Sequence, residues 1–195
     1  MNKNMCYIGI PKTATNSVMH ALNISGLYNH YGVRGYEKQN INSSNNIYIA
    51  FFREPINRLQ SWFYFHKKIN KSIDTYQTKF EEWVEFGCPH HWTLSSLIDR
   101  GIQSPIYQYQ FLLNDSCNFP KNIFIGDYDK INEQISLVCK LFKIHDVKLP
   151  KLNETNLGQF PKIDKDYYKH LKKYLSIDYE IYNKIKQDGF ISINE

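Results

Sequence analysis

The sequence has no long apolar run, and it contains little cysteine, glycine or methionine. No stretch approaches the roughly 20 consecutive apolar residues of a transmembrane helix, so we expect no membrane span. Residues 1–7 are largely polar and lead directly into an apolar run, which predicts no signal peptide and a cytoplasmic location. The four cysteines are far apart and form no C-x-x-C pair, which argues against a zinc site or a disulfide framework.

The charge balance is mildly basic. Lysine and arginine total 24 against 19 acidic residues, a net charge of +5 that suits an anionic ligand. It falls well short of a nucleic-acid-binding arm, and no nucleic-acid motif is present, so we expect no nucleic-acid partner. The length of 195 residues, with 42% hydrophobic and 22% charged residues, is typical of one globular domain spanning 1–195.

Short apolar runs alternate with helical patterns along the chain. We predict strands at 7–10, 27–31, 47–52 and 122–126, and helices at 17–22, 55–68, 131–142 and within 164–186. Strands that alternate with helices indicate an α/β fold, here a three-layer sandwich with a central, mainly parallel sheet flanked by helices.

The first candidate site is the polar loop 9–17, which joins the first predicted strand to a helix. Such a turn presents backbone N–H groups at a helix N-terminus and can bind a phosphate-like anion. Lys12 would add a positive charge, and Thr13, Thr15 and Ser17 would add hydroxyl donors. The spacing of a Walker A loop is absent. An ordinary turn with a capping threonine or serine is the alternative.

The second candidate site is the segment 52–62. Arg53 follows the strongest predicted strand, at the edge where open α/β sheets bind ligands. Ser61 lies about two turns into the next helix, so it and Arg53 can converge on one phosphate, and Arg58 shares the helix face of Ser61. The alternative is that Arg53 pairs with Glu54 or Asp127 and only holds the surface together.

These two segments resemble the donor-binding motifs of the sulfotransferases that use 3′-phosphoadenosine 5′-phosphosulfate (PAPS). Residues 11–17 are similar to the family's 5′-phosphosulfate loop, and residues 53–61 are similar to its 3′-phosphate segment. The closest similarity is to the carbohydrate sulfotransferases, including the 2-O-sulfotransferase-like group. The sequence departs from the family pattern at Ala14, where many members have glycine, and at Asn16, where threonine or serine is commoner.

The resemblance implies a P-loop-like fold, PAPS as the donor, its desulfated product PAP, and no metal. The donor-binding residues that it implies are Lys12, Thr13, Ala14, Thr15, Asn16, Ser17, Arg53 and Ser61. Lys12 would also stabilise the departing phosphate. Catalysis would depend mainly on positioning and on electrostatic stabilisation of the charge that builds on that phosphate.

The acceptor hydroxyl needs a general base, and the family pattern favours His30, with Glu37 in reserve. The acceptor itself is expected to be a carbohydrate or another hydroxyl-bearing molecule, and Trp83 and Trp92 are candidates for stacking on a sugar. Two other functions stay open: a P-loop-type nucleotide or phosphate-handling kinase, and a non-catalytic relative that binds PAP or another anion.

Overall fold

The computed structural model describes residues 4–22, 28–29, 46–69, 79–88, 106–114, 116–141, 149–150 and 160–193. The elements in chain order are β1 (Asn4–Ile8), α1 (Thr15–Leu22), β2 (Tyr28–Asn29), β3 (Asn46–Phe52), α2 (Pro55–Ile69), α3 (Phe80–Glu85), β4 (Ile123–Asp127), α4 (Ile131–Leu141), α5 (Lys165–Tyr174), α6 (Ser176–Asp188) and β5 (Phe190–Ile193). Two short 3₁₀ helices cover Tyr109–Leu112 and Tyr128–Lys130.

The strands form one mixed sheet in the order β2-β1-β3-β4-β5. The first four strands in that order are parallel, and β5 runs antiparallel to β4. Phe52 is level with Asp127, so β3 and β4 end together at the same edge of the sheet. The predicted α/β fold with a mainly parallel sheet is therefore confirmed, while β5 was not predicted.

Helices pack against both faces of the sheet, because alternate strand residues point in opposite directions. Ile49 and Phe51 of β3 pack in the cluster that contains Val18 of α1 and Ile135 of α4. Ala50 and its alternate neighbours pack on the other face, in the cluster that contains the Tyr109–Leu112 turn and Ile185 of α6. The near-continuous apolar run of β3 reflects this two-sided burial.

A third apolar cluster lies among α2, α3, α5 and α6. At its centre the rings of Trp62 and Trp83 meet edge to face, with centroids 6.0 Å apart. Trp83 is only 1% exposed, so our prediction that it stacks on a sugar is wrong. This cluster fixes α2 against the C-terminal helices.

The start of α2 is fixed by Glu54. Its carboxylate accepts a hydrogen bond from the backbone N–H of Asn57 at 2.6 Å, and its carbonyl accepts one from the N–H of Arg58 at 2.9 Å. Pro55 occupies the first helical position, where a missing N–H costs nothing. Arg53 is thereby placed between the end of β3 and the start of α2.

The side chain of Gln134 in α4 holds the end of β4. Its Oε1 accepts a hydrogen bond from the backbone N–H of Asp127 at 2.7 Å, and its Nε2 donates one to the Gly189 carbonyl at 2.6 Å. Gly126 allows this close approach, because a Cβ there would lie 2.3 Å from the Gln134 Oε1.

Candidate functional site

The loop between β1 and α1 has a left-handed backbone at two non-glycine residues. Lys12 has a φ of 70° and Ala14 has a φ of 58°. L-residues pay a steric cost in this region, and such strain concentrates at functional sites. The loop keeps its shape because the hydroxyls of Thr13 and Thr15 each donate to the Ile10 carbonyl at 2.8 Å.

We expected the hydroxyls of Thr13 and Thr15 to donate hydrogen bonds to an anion, but they do not. Thr13 and Thr15 are buried, and their hydroxyl donors point inward to the strand end instead of outward to a ligand. Ser17 is also buried, whereas Asn16 is exposed. The donors that we assign to an anion are the Lys12 ammonium and backbone N–H groups at the start of α1, because the first N–H groups of a helix have no acceptor within it.

Arg53 joins the second candidate segment to the first. Its Nη1 donates a hydrogen bond to the Lys12 carbonyl at 3.1 Å, and the side chain is 94% buried, with 6% relative exposure. The guanidinium lies 4.7 Å from the centroid of the Tyr128 ring. The two predicted motifs, far apart in the sequence, therefore meet at one place in the fold.

No carboxylate in the described part of the chain forms an ion pair with Arg53. Asp127 instead accepts from Lys186 Nζ at 2.9 Å. Glu54 caps α2 and accepts a hydrogen bond from the Tyr179 hydroxyl. Our alternative interpretation, in which Arg53 pairs with Glu54 or Asp127, is therefore wrong.

The site contains two cations, Lys12 and Arg53, which are both partly shielded from water. Burial lowers the pKa of Lys12 from 10.5 to about 8, and the charge of Arg53 lowers it further in the same direction. Burial also lowers the pKa of Arg53, although Tyr128, Asp129 and Glu54 oppose that shift. An anion bound near both cations would offset the energetic cost of burying them and would reduce their mutual repulsion.

Helix α2 contributes one face to the site. The Lys12 Nζ lies 4.0 Å from the centroid of the Phe65 ring, and Ser61 lies one turn earlier on the same helix. Ser61 is fully buried. Arg58 is one further turn away, is fully buried, and donates to the Ile106 carbonyl, with its guanidinium 5.2 Å from the Trp62 ring centroid.

Sequence reasoning missed two residues behind Arg53. Gln108 hydrogen-bonds both backbone groups of Arg53, and Asp178 accepts hydrogen bonds from the backbone of residues 108 and 109. Nothing in the sequence marks Gln108. Asp178 had a signal, because it is an acidic residue that follows Leu171 and Leu175 at helical spacing on an apolar face.

Several predicted residues lie outside the described residues: His30, Glu37 and Trp92. Their roles stay predictions. Within the described residues, no group of three or more His, Cys, Asp or Glu side chains is arranged to hold a metal ion. No described helix is both long enough and apolar enough to cross a membrane.

No protein-family model matches the sequence, and no curated protein matches it. The meeting of Lys12 and Arg53 is therefore the main support for a functional interpretation.

Proposed function

We propose that this chain is a PAPS-dependent sulfotransferase with a P-loop-like three-layer fold, which transfers a sulfuryl group to an acceptor hydroxyl on a carbohydrate. The observation that carries the proposal is the 3.1 Å hydrogen bond from Arg53 Nη1 to the Lys12 carbonyl. It brings together the two segments that resemble the two phosphate-binding motifs of this family. A cytoplasmic location is part of the same proposal.

The physical support is that these two cations lack a carboxylate in ion-pair contact among the described residues, although Asp129 and Glu54 act on Arg53 from farther away. A buried cation is expensive unless it is paired, and an ion pair with Arg53 or Lys12 is absent from the described residues. A donor with a phosphate at each end of its nucleoside supplies the missing negative charge. The left-handed backbone at Lys12 and Ala14 adds a shape that the fold maintains at an energetic cost.

The roles divide between the two segments. Lys12 and the backbone N–H groups of residues 14–17 hold the 5′-phosphosulfate at the N-terminus of α1, since the N–H of Thr13 already donates to the Ile10 carbonyl at 3.3 Å. Arg53 and Ser61 hold the 3′-phosphate, with the arginine as a forked donor. Thr13 and Thr15 act indirectly, since their hydroxyls fix the loop by binding the Ile10 carbonyl.

The reaction is an in-line transfer. The acceptor oxygen forms a bond to sulfur as the bond between sulfur and the 5′-phosphate oxygen breaks, and the electron pair of that bond stays on the phosphate. Lys12 stabilises the charge that builds on the leaving phosphate, which makes PAP the better leaving group. The hydroxyl proton passes to a general base, for which we propose His30, with Glu37 in reserve.

The test is ligand binding followed by transfer. Calorimetry should give tighter binding of PAP than of adenosine 5′-monophosphate, because only PAP carries the 3′-phosphate. Arg53→Met should lower PAP affinity about 10–100-fold, the cost of losing hydrogen bonds to a charged group, and should abolish that preference. Lys169→Met is the matched control, because Lys169 is exposed and forms an ion pair with its helical neighbour Asp166, away from Lys12 and Arg53 in the sequence.

The same experiment separates the other two functions. A phosphate-handling kinase would be stabilised by ATP with Mg²⁺ and not by PAP. A non-catalytic relative would bind PAP but would transfer no labelled sulfuryl group from PAPS to any carbohydrate acceptor. Equal affinity for PAP and adenosine 5′-monophosphate would contradict the proposal for Arg53.

A further inference from the structure

We propose that Gln108 is a positioning residue for the anion site: it clamps the backbone of Arg53 and so aims the guanidinium at the Lys12 carbonyl. The part of this inference that concerns anion binding rests on the proposed function. The part that concerns how Arg53 is held beside Lys12 can be tested without any ligand.

The clamp is a pair of hydrogen bonds to one residue. Gln108 Oε1 accepts from the Arg53 N–H at 3.1 Å, and Gln108 Nε2 donates to the Arg53 carbonyl at 2.8 Å. The pairing of β3 with β4 ends at Phe52, so Arg53 has no neighbouring strand residue in that ladder. The side-chain amide of Gln108 supplies the donor and acceptor that a strand would supply.

Two bonds to the same residue restrain its backbone more than one bond would. They fix the direction in which the Arg53 side chain leaves the backbone, because a residue's φ and ψ set the direction of its Cβ. From that fixed origin Nη1 reaches the Lys12 carbonyl at 3.1 Å, and the guanidinium packs against Tyr128. Gln108 therefore determines the position from which the Arg53 guanidinium contacts a ligand.

Gln108 is itself anchored from behind. Its own N–H donates to Asp178 Oδ2 at 2.8 Å, and the N–H of Tyr109 donates to Asp178 Oδ1 at 2.9 Å. Two residues earlier, the Ile106 carbonyl accepts a hydrogen bond from the buried Arg58. Gln108, Asp178 and Arg58 are each 0% exposed, so water cannot replace any of these partners at low cost.

The test compares two side-chain amides that clamp neighbouring strand ends. Gln108→Met removes the clamp on Arg53, whereas Gln134→Met removes hydrogen bonds to the Asp127 N–H and the Gly189 carbonyl and none to Lys12 or Arg53. Gln108→Met loses buried hydrogen bonds and Gln134→Met loses partly buried ones, so both should lower the unfolding temperature. Only Gln108→Met should change the anion site.

The ligand-free readout is the pKa of Lys12, measured by NMR after ¹³C-methylation of lysines. In the wild type that pKa is held near 8, below its ordinary 10.5, partly by Arg53. We expect Arg53→Met and Gln108→Met to raise it and Gln134→Met to leave it unchanged. The ligand readout is PAP affinity. It should fall about tenfold in Gln108→Met, as is typical when a residue that orients a binding side chain is lost, and should stay unchanged in Gln134→Met.

Each outcome decides something. If Arg53→Met raises the pKa of Lys12 and Gln108→Met does not, the positioning role is wrong, whatever PAP does. If the wild type fails to bind PAP, the proposed function is wrong, and the pKa comparison still decides the role of Gln108. If Gln108→Met does not fold, Gln108→Asn replaces it, since its amide is one methylene too short to reach both groups of Arg53.

Discussion

The ammonium group of Lys12 lies 4.0 Å from the centroid of the Phe65 ring. The contact ties the loop after β1 to the face of α2 that also carries Ser61. An aromatic face attracts a cation without neutralising it, unlike a carboxylate. The side chain of Lys12 is therefore held in place while its charge stays available to an incoming anion.

The first prediction concerns protons taken up when PAP binds. Lys12 has a lowered pKa of about 8, so at pH 8 about half of its side chains are neutral in the free protein. An anion favours the charged form, so binding should take up about half a proton per PAP at this pH. The measurement is the calorimetric binding enthalpy in buffers of different ionisation enthalpy.

The control for this uptake is Lys12→Met, which removes the titrating amine. The 3′- and 5′-phosphates of PAP both titrate near pH 6, so measurements at pH 8 and above keep their contribution small. Equal uptake in wild type and Lys12→Met would contradict the lowered pKa. Above pH 8 the wild-type affinity should fall, because each binding event must then protonate Lys12.

The second prediction is that Ala14→Gly stabilises the protein. Ala14 has a φ of 58°, where a Cβ costs roughly 1–2 kcal/mol and glycine costs nothing. Part of the gain is offset by the larger entropy of glycine in the unfolded chain and by the lost packing of the Ala14 methyl against the cluster of Val18 and Ile135, which leaves at most about 0.5 kcal/mol of added unfolding free energy. The measurement is chemical denaturation.

Ala21→Gly is its matched control, because Ala21 lies in the same region of the chain but inside α1. There the same substitution should lower the unfolding free energy by about 1 kcal/mol. A destabilising effect of Ala14→Gly similar to that of Ala21→Gly would mean that the left-handed backbone at residue 14 is not present in solution.

The third prediction concerns pH and Asp178. Burial is the main cause that raises the pKa of Asp178 from 3.8 to about 6, against hydrogen bonds from Gln108 and Tyr109 and the charge of Arg58. The folded state then binds more protons than the unfolded state between pH 4 and pH 6. The stability that this group contributes is therefore present at low pH and is lost as the pH rises through 6.

Asp178→Asn removes that titration. We expect the loss of unfolding free energy caused by Asp178→Asn to be larger at pH 4 than at pH 7, by up to about 3 kcal/mol for a shift of this size. Urea denaturation of both proteins across this range measures the difference. A destabilisation that is constant with pH would mean that Asp178 keeps its ordinary pKa in the folded state.

The sheet was largely predictable because its strands are buried on both faces. The run from Ile47 to Phe52 is apolar throughout, and the structure places a strand at Asn46–Phe52. β5 was missed because it has four residues, and its pairing with β4 depends on the docking of α6. No local pattern in the sequence carries that information.

The meeting of Lys12 and Arg53 was predictable from position, because both follow parallel strands and so lie at the same edge of the sheet. The clamp by Gln108 was not predictable. It joins residues 55 positions apart through one side-chain amide, and such a contact has no periodicity or motif. The inward direction of the Thr13 and Thr15 hydroxyls likewise depends on where the Ile10 carbonyl ends up.

Arg58 has a consequence for engineering this fold. A charged side chain with no exposed surface sits beside Trp62 and holds the Ile106 carbonyl, and removing one partner of a buried charged contact costs far more than replacing the whole group of partners together. Directed evolution for heat resistance should therefore accept an apolar residue at position 58 only when Asp178, whose charge Arg58 faces, changes with it. A library for this fold should vary the two positions jointly and score ligand capture alongside melting temperature.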